Sequence, residues 1–132
     1  MAEGNVEIVE RIYDGWGEGR FGSSVDAFDR HVLFVINKGF PDPGAYLGEA
    51  GIAGYMRGFL ESWTRITIEA EELVPAGDTI IARIVQRGVG DASGAETEFR
   101  YFQLWTFRGD RVIRLENMRE RDEAFAAAGL AT

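Results

Sequence analysis

Residues 65–74, RITIEAEELV, begin with a strict alternation: Ile66, Ile68 and Ala70 fall on one side, Thr67, Glu69 and Glu71 on the other. Successive strand residues point to opposite faces, so this pattern predicts a strand with one buried and one wet face. The period of two continues in residues 79–90, TIIARIVQRGVG, and in residues 97–107, TEFRYFQLWTF, where Phe99, Tyr101, Gln103, Trp105 and Phe107 share a side. The turn-rich GDASGAE (90–96) joins those two segments, and RGDR (108–111) predicts a tight hairpin into a closing strand. Upstream the period changes. In NVEIVERIYDGWGEG (5–19), Val6, Val9, Tyr13 and Trp16 recur at helical spacing with Ile12 beside them. Asn5 suits an N-cap, and Gly17 and Gly19 end the helix. SSVDAFDRH (23–31) predicts a second, short helix capped by Ser23 or Ser24 and burying Val25 and Phe28; VLFVIN (32–37) is a brief strand. The loop KGFPDPGAYLG (38–48) holds two of the three prolines. A third helix follows in EAGIAGYMRGFLESW (49–63), with Ile52, Met56, Phe59 or Leu60, and Trp63 as one stripe. Helices followed by an antiparallel meander predict an α+β fold, a curved antiparallel sheet wrapped as a cone around three N-terminal helices.

Composition narrows the function classes. The 132 residues make one ordinary domain, which buries roughly 68% of the surface its unfolded chain exposes. Without cysteine there are no disulfides and no thiolate chemistry, and a single histidine excludes a histidine-based metal site within one chain. The net charge of −8, with thirteen arginines and one lysine spread thinly, opposes nucleic-acid binding. MAEGNVEIVERIYDG has early acids and no apolar secretion segment, and no run of eighteen apolar residues could span a membrane. A soluble, cytoplasmic protein is expected.

The element order, with YLGEAGIAGYMRGFLESW (46–63) in the middle and RVIRLENMRERDEAFAAAGL (111–130) at the end, resembles the SnoaL-like domain family. That family belongs to the cone-shaped superfamily named after nuclear transport factor 2. Steroid delta-isomerases, limonene epoxide hydrolase, scytalone dehydratase and small polyketide cyclases share its fold. The resemblance runs from Asn5 to Leu130. It implies one domain over residues 1–132 with cystatin-like topology, a deep apolar cavity, a small hydrophobic ligand, no cofactor or metal, and a homodimer. One scaffold hosts unrelated chemistries, so the activity must be read from individual positions. The isomerase base falls near Ile36 or Asn37, neither of which can take a proton. Its oxyanion-hole tyrosine falls near Ile12, with Tyr13 adjacent and expected to turn away, and its aspartic acid falls at Gln103. The cyclase aspartate, and one of the two hydrolase aspartates, fall at Asn117. The hydrolase arginine and aspartate two apart find only Arg83 followed by Val85. Amides therefore stand where relatives place acids.

Register decides what the last strand offers. The family register turns Ile113, Leu115 and Asn117 inward and Val112, Arg114, Glu116 and Met118 outward; a one-residue slip would bring Glu116 in. The inward set is the less charged one, which favours it independently. The cavity wall expected from the resemblance comprises Ile12, Trp16, Phe34, Ile36, Met56, Leu60, Trp63, Tyr101, Gln103, Trp105, Leu115 and Asn117, all of which would serve equally as core. His31 suits proton transfer by its near-neutral pKa, but a lone histidine at a helix end more often bonds free carbonyls. Gln103 is either a ligand-orienting group or a satisfied core amide, and Gln86 reads as structural. GVGDASG is a hairpin, not a phosphate loop. Two functions remain open. One is an isomerase-, cyclase- or dehydratase-type enzyme in which Asn117 and Gln103 polarise an oxygen while His31, Glu116 or water moves protons. The other is a non-catalytic ligand-binding or dimerisation module. RDEAFAAAGL (121–130) forms a closing helix anchored by Phe125 and Leu130, over the cavity mouth or on a partner, and the face carrying Ile66 and Ile68 is the expected dimer surface.

Overall fold

A computed structural model describes residues 4–22 and 24–130. The fold is α+β, and the described residues form three α-helices and a curved, unclosed six-stranded sheet. Helix α1 spans Asn5–Trp16, strand β1 Phe28–Ile36, β2 Gly44–Leu47, helix α2 Gly48–Glu61, β3 Trp63–Ala76, β4 Thr79–Gly90, β5 Glu96–Arg108, β6 Arg111–Met118 and α3 Arg121–Ala127. The sheet order is β2-β1-β6-β5-β4-β3. The meander β3 to β6 is antiparallel as its alternation requires, whereas β1 lies parallel to β6 and makes the sheet mixed. Among the described residues no helix is long and apolar enough to cross a membrane.

The N-terminal half departs from its pattern in three places. Gly4, not Asn5, occupies the N-cap of α1, and no side chain caps it. The expected second helix is one 3-10 turn at Val25–Ala27. Its candidate cap Ser24 has a left-handed φ of 87° and no side-chain capping bond, and Ser23 lies outside the described residues. Asp29 instead accepts the His31 backbone N–H at 2.8 Å, a local bond that competes with helix. Phe28 opens β1, and Val25 is 58% exposed rather than buried. The proline-rich loop also closes with β2, a four-residue edge strand pairing Gly44–Leu47 with β1. So short a strand carries little pattern of its own; its partner defines it.

One face of the sheet holds the main core. Ile68, Ile80, Ala82, Ile84, Tyr101, Trp105, Phe107, Val112 and Leu115 lie there with Ile8, Val9, Ile12 and Tyr13 of α1, and Ile66 is buried on the same face beside Gly88. Ile66 and Ile68 are thus core residues, and the dimer surface expected at them is ruled out within the fold. Helix α2 covers the same face loosely. Ile52, Tyr55 and Phe59 pack on the core, no α2 residue is fully buried, and Leu60 stays 39% exposed. The opposite face carries a second cluster, Ile81, Leu104 and Met118, covered by Ala124 and Phe125 of α3 with Leu130 alongside. Helix α3 therefore caps the outer face of its own sheet, not the mouth of a cone. The remaining outer face is an ionic lattice in which Arg100 and Arg83 meet Glu71, and Arg87 meets Glu69 and Glu98.

A bulge sets the phase of β6. Thr106 pairs with Arg114 and Phe107 with Val112, leaving Ile113 as the extra residue. Leu115 and Asn117 face inward as expected, and the bulge turns Val112 inward as well, where it is fully buried. Ile113, expected inward, is only half-buried. Met118 faces outward and is buried beneath α3.

Candidate functional site

The inner face of β5 runs Phe99, Tyr101, Gln103, Trp105, Phe107, and what packs against it changes along its length. At the Trp105 end, α1 contributes Tyr13 and Trp16, with ring centroids 5.6 and 5.7 Å from Trp105, and Phe28 completes the cluster at 6.0 Å. Trp105 is fully buried. At the other end Phe40 sits edge-on to Tyr101 and Phe99, at 5.2 and 5.9 Å. Arg119 holds Phe40 in place. Its guanidinium lies 4.8 Å from the Phe99 ring and 5.9 Å from Phe40, and it donates to the Gly39 carbonyl at 3.0 Å.

Between the two aromatic ends runs a chain of hydrogen bonds. The Trp105 indole N–H donates to the Tyr13 hydroxyl oxygen at 2.8 Å. The Tyr13 hydroxyl donates to Gln103 Oε1 at 2.5 Å. Gln103 Nε2 donates to Asn117 Oδ1 at 3.0 Å, across the register pair that places the two residues opposite each other. A separate pair lies further along: the Tyr101 hydroxyl donates to Gln86 Oε1 at 3.0 Å. The buried polar side chains among the described residues are Gln86, Gln103 and Asn117, three neutral amides. Burial pushes the Tyr13 and Tyr101 hydroxyls well above the usual phenol range, and Tyr55 up to about 12, because a phenolate would lose its hydration. At neutral pH this wall can donate and accept hydrogen bonds, but has no group poised to exchange a proton.

The residues singled out from sequence divide accordingly. Ile12, Phe34, Ile36, Tyr101, Gln103, Trp105, Leu115 and Asn117 are buried on the inner side, and Trp16 packs half-buried beside Trp105. Trp63 is half-buried against Phe59 and the backbone of Gly88. Met56 is half-buried outside the main cluster and Leu60 is exposed, so that part of the expected wall does not assemble. Glu116 faces outward and pairs with Arg114 at 2.7 Å; His31 is exposed on β1 with no helix end to cap. Neither joins the relay. Tyr13, expected to turn away, is its central member. Its place in the Val6–Val9–Tyr13–Trp16 stripe already carried that signal, and the positional resemblance obscured it. Phe40 and Arg119 had no periodic signal. They meet only because a loop after β1 and the end of β6 come together.

Two clefts open elsewhere, one of about 520 Å³ bounded by Arg65, Arg87, Val89 and Glu98, and one of about 380 Å³ between α1 and β3. Tyr13 borders the second, together with Val6, Leu73 and the acids Glu10 and Asp14; Gln103 and Asn117 border neither. On the inner face itself, Phe40 covers Phe99 and Tyr101 at one end, and the Tyr13–Trp16–Trp105 cluster packs the other. Among the described residues no cluster of three or more histidine or carboxylate side chains converges as metal ligands.

The sequence matches, over residues 9–115, a family described as the SnoaL-like domain. No curated protein matches it. Among solved structures, an NTF2-like protein from Burkholderia thailandensis is 21% identical, with a TM-score of 0.80 over 98% of this chain and 100% of that one. TerC, co-crystallised with polyporic acid, is 17% identical, with a TM-score of 0.77 over 95% and 98%. A candidate SnoaL-like polyketide cyclase from Jannaschia sp. CCS1 is 19% identical, with a TM-score of 0.74 over 97% and 93%. At these identities the likeness establishes the fold alone.

Proposed function

The chain belongs to the SnoaL-like domain family, and from that premise we propose that it is a small-molecule-binding protein without acid–base catalysis of its own. Its ligand is a small, largely apolar cyclic compound bearing oxygen. It lies against the inner face of β5 and β6 beside Gln103 and Asn117, in space vacated when Phe40 swings out. The observation that carries this reading is the neutral relay Trp105–Tyr13–Gln103–Asn117. A wall of amides and protonated phenols can orient an oxygen but cannot shuttle a proton near pH 7. TerC, a relative in fold, was co-crystallised with polyporic acid, which is in keeping with a small molecule as cargo.

Thermal unfolding against aromatic ketones, terpenoids, steroids and aromatic polyketides tests the reading. A ligand at about a hundred times its dissociation constant stabilises by ~2.7 kcal/mol, on the order of 10 °C for a domain of this size. No stabilisation by any of them overturns it. Turnover of a bound compound that disappears in Asn117→Ala would replace binding by isomerase-, cyclase- or dehydratase-type catalysis through oxygen polarisation. We also propose a homodimer formed through surface other than the buried Ile66 and Ile68. Light scattering at micromolar concentration should then give twice the chain mass of 14.7 kDa.

A further inference from the structure

The relay has a direction, and one of its members cannot be reversed. An indole N–H donates and never accepts, whereas an amide can be turned end for end. Trp105 Nε1 lies 2.8 Å from the Tyr13 oxygen, so that oxygen accepts there. The oxygen could accept a second time, but the Tyr13 proton would then have no acceptor among the described residues; it goes to Gln103, and the atom facing it at 2.5 Å is Oε1. Nε2 is thereby turned toward β6, where it requires an acceptor, and Asn117 presents Oδ1 at 3.0 Å. Each step forces the next. Asn117 is left with its own amide nitrogen pointing away from the chain of bonds.

That nitrogen has no protein partner among the described residues. Asn117 is only 6% exposed, yet no fully buried side-chain nitrogen or oxygen among them lacks a partner, so Nδ2 must touch accessible space. We propose that Trp105 fixes the polarity of the relay so that the inner wall offers an N–H donor from Asn117, and that the ligand is selected by a neutral acceptor oxygen such as a ketone, quinone or ester carbonyl. The inference rests on the ligand-binding reading above and narrows it to one chemical class. Compounds whose only polar group is a donor, protonated amines among them, cannot pair with that N–H. Trp105 is a positioning residue, acting through Tyr13 and Gln103.

Acetophenone and α-methylstyrene separate the possibilities, because they share a shape and differ in replacing C=O by C=CH2. Titrations followed by side-chain 15N–1H spectra should show acetophenone binding at least tenfold more tightly and moving the Asn117 NH2 resonances downfield. At a pH where its carboxyl is ionised, Asn117→Asp still accepts from Gln103 but offers no donor to the probe, so the preference should vanish while α-methylstyrene still binds. Trp105→Phe releases both amides to reverse, and the preference should fall several-fold with Asn117 intact. Equal affinity for the two probes in the unaltered protein, or a preference that survives Asn117→Asp, overturns the inference while leaving ligand binding intact. Binding of neither probe overturns this inference; the ligand-binding reading falls only if the wider panel of ketones, terpenoids, steroids and polyketides fails as well. If the aspartate variant does not fold, the unliganded protein decides. Asn117 NH2 protons should exchange with solvent at least tenfold faster than those of Gln103, and equal rates overturn the stated polarity.

Discussion

Replacing Tyr13 by phenylalanine removes one oxygen and strands two groups, the Trp105 N–H and Gln103 Oε1. Each buried group left unpaired costs about 1–3 kcal/mol, so Tyr13→Phe should destabilise by about 2–5 kcal/mol in urea unfolding. Tyr101→Phe strands only Gln86 Oε1 and should cost about half as much, which controls for the general effect of losing a hydroxyl. The same two tyrosines predict an alkaline limit. Their folded-state pKa values are raised, chiefly by desolvation, above the ~10 of an exposed phenol. Above that pH the unfolded chain loses protons that the folded chain retains, so stability is full below about pH 10 and falls as pH rises. Urea midpoints measured between pH 8 and 11.5 should show this fall, and Tyr13→Phe should flatten it.

The elements have their own constraints, and β3 and β4 show the clearest one. Gly88 sits where Trp63 and Ile66 fold over β4, and a Cβ there would lie 2.7 Å from the Trp63 ring, 2.8 Å from Ile66 Cδ1 and 2.9 Å from the Arg65 carbonyl. That carbonyl is the backbone of the paired strand and cannot swing aside. Gly88→Val should therefore destabilise by ~1–3 kcal/mol, even though valine is ordinarily the better strand former; an unchanged urea midpoint would contradict the packing described. Bulges act at the same scale. The extra residue Ile113 lets Val112 join the core without moving Leu115 or Asn117, so the inner wall keeps its amide while the hairpin end keeps its apolar seal.

At the scale of the whole molecule, Arg119 pins the loop between β1 and β2 across the sheet, and the proposed function has the ligand enter by displacing Phe40 of that loop. Phe40→Ala should speed ligand association several-fold in stopped-flow measurements while changing the Asn117 resonances of the bound state little. Slower or unaltered association would show that a different segment controls access. Much of this architecture was legible in the chain itself. Alternation in residues 65–107 specified the meander and its wet and dry faces, and the 3.6 period placed Tyr13 beside Val9 and Trp16, because both patterns depend only on where neighbouring side chains point. The lack of inward acids could be read as soon as the strand phase was known. Contacts between distant segments settled the rest. A parallel partner made β1 longer than its apolar run, an edge pairing made a strand of residues 44–47, and α3 turned an outward methionine into core. The direction of the relay belongs with these, since it joins residues some ninety positions apart and is set by one indole proton that no local pattern can orient.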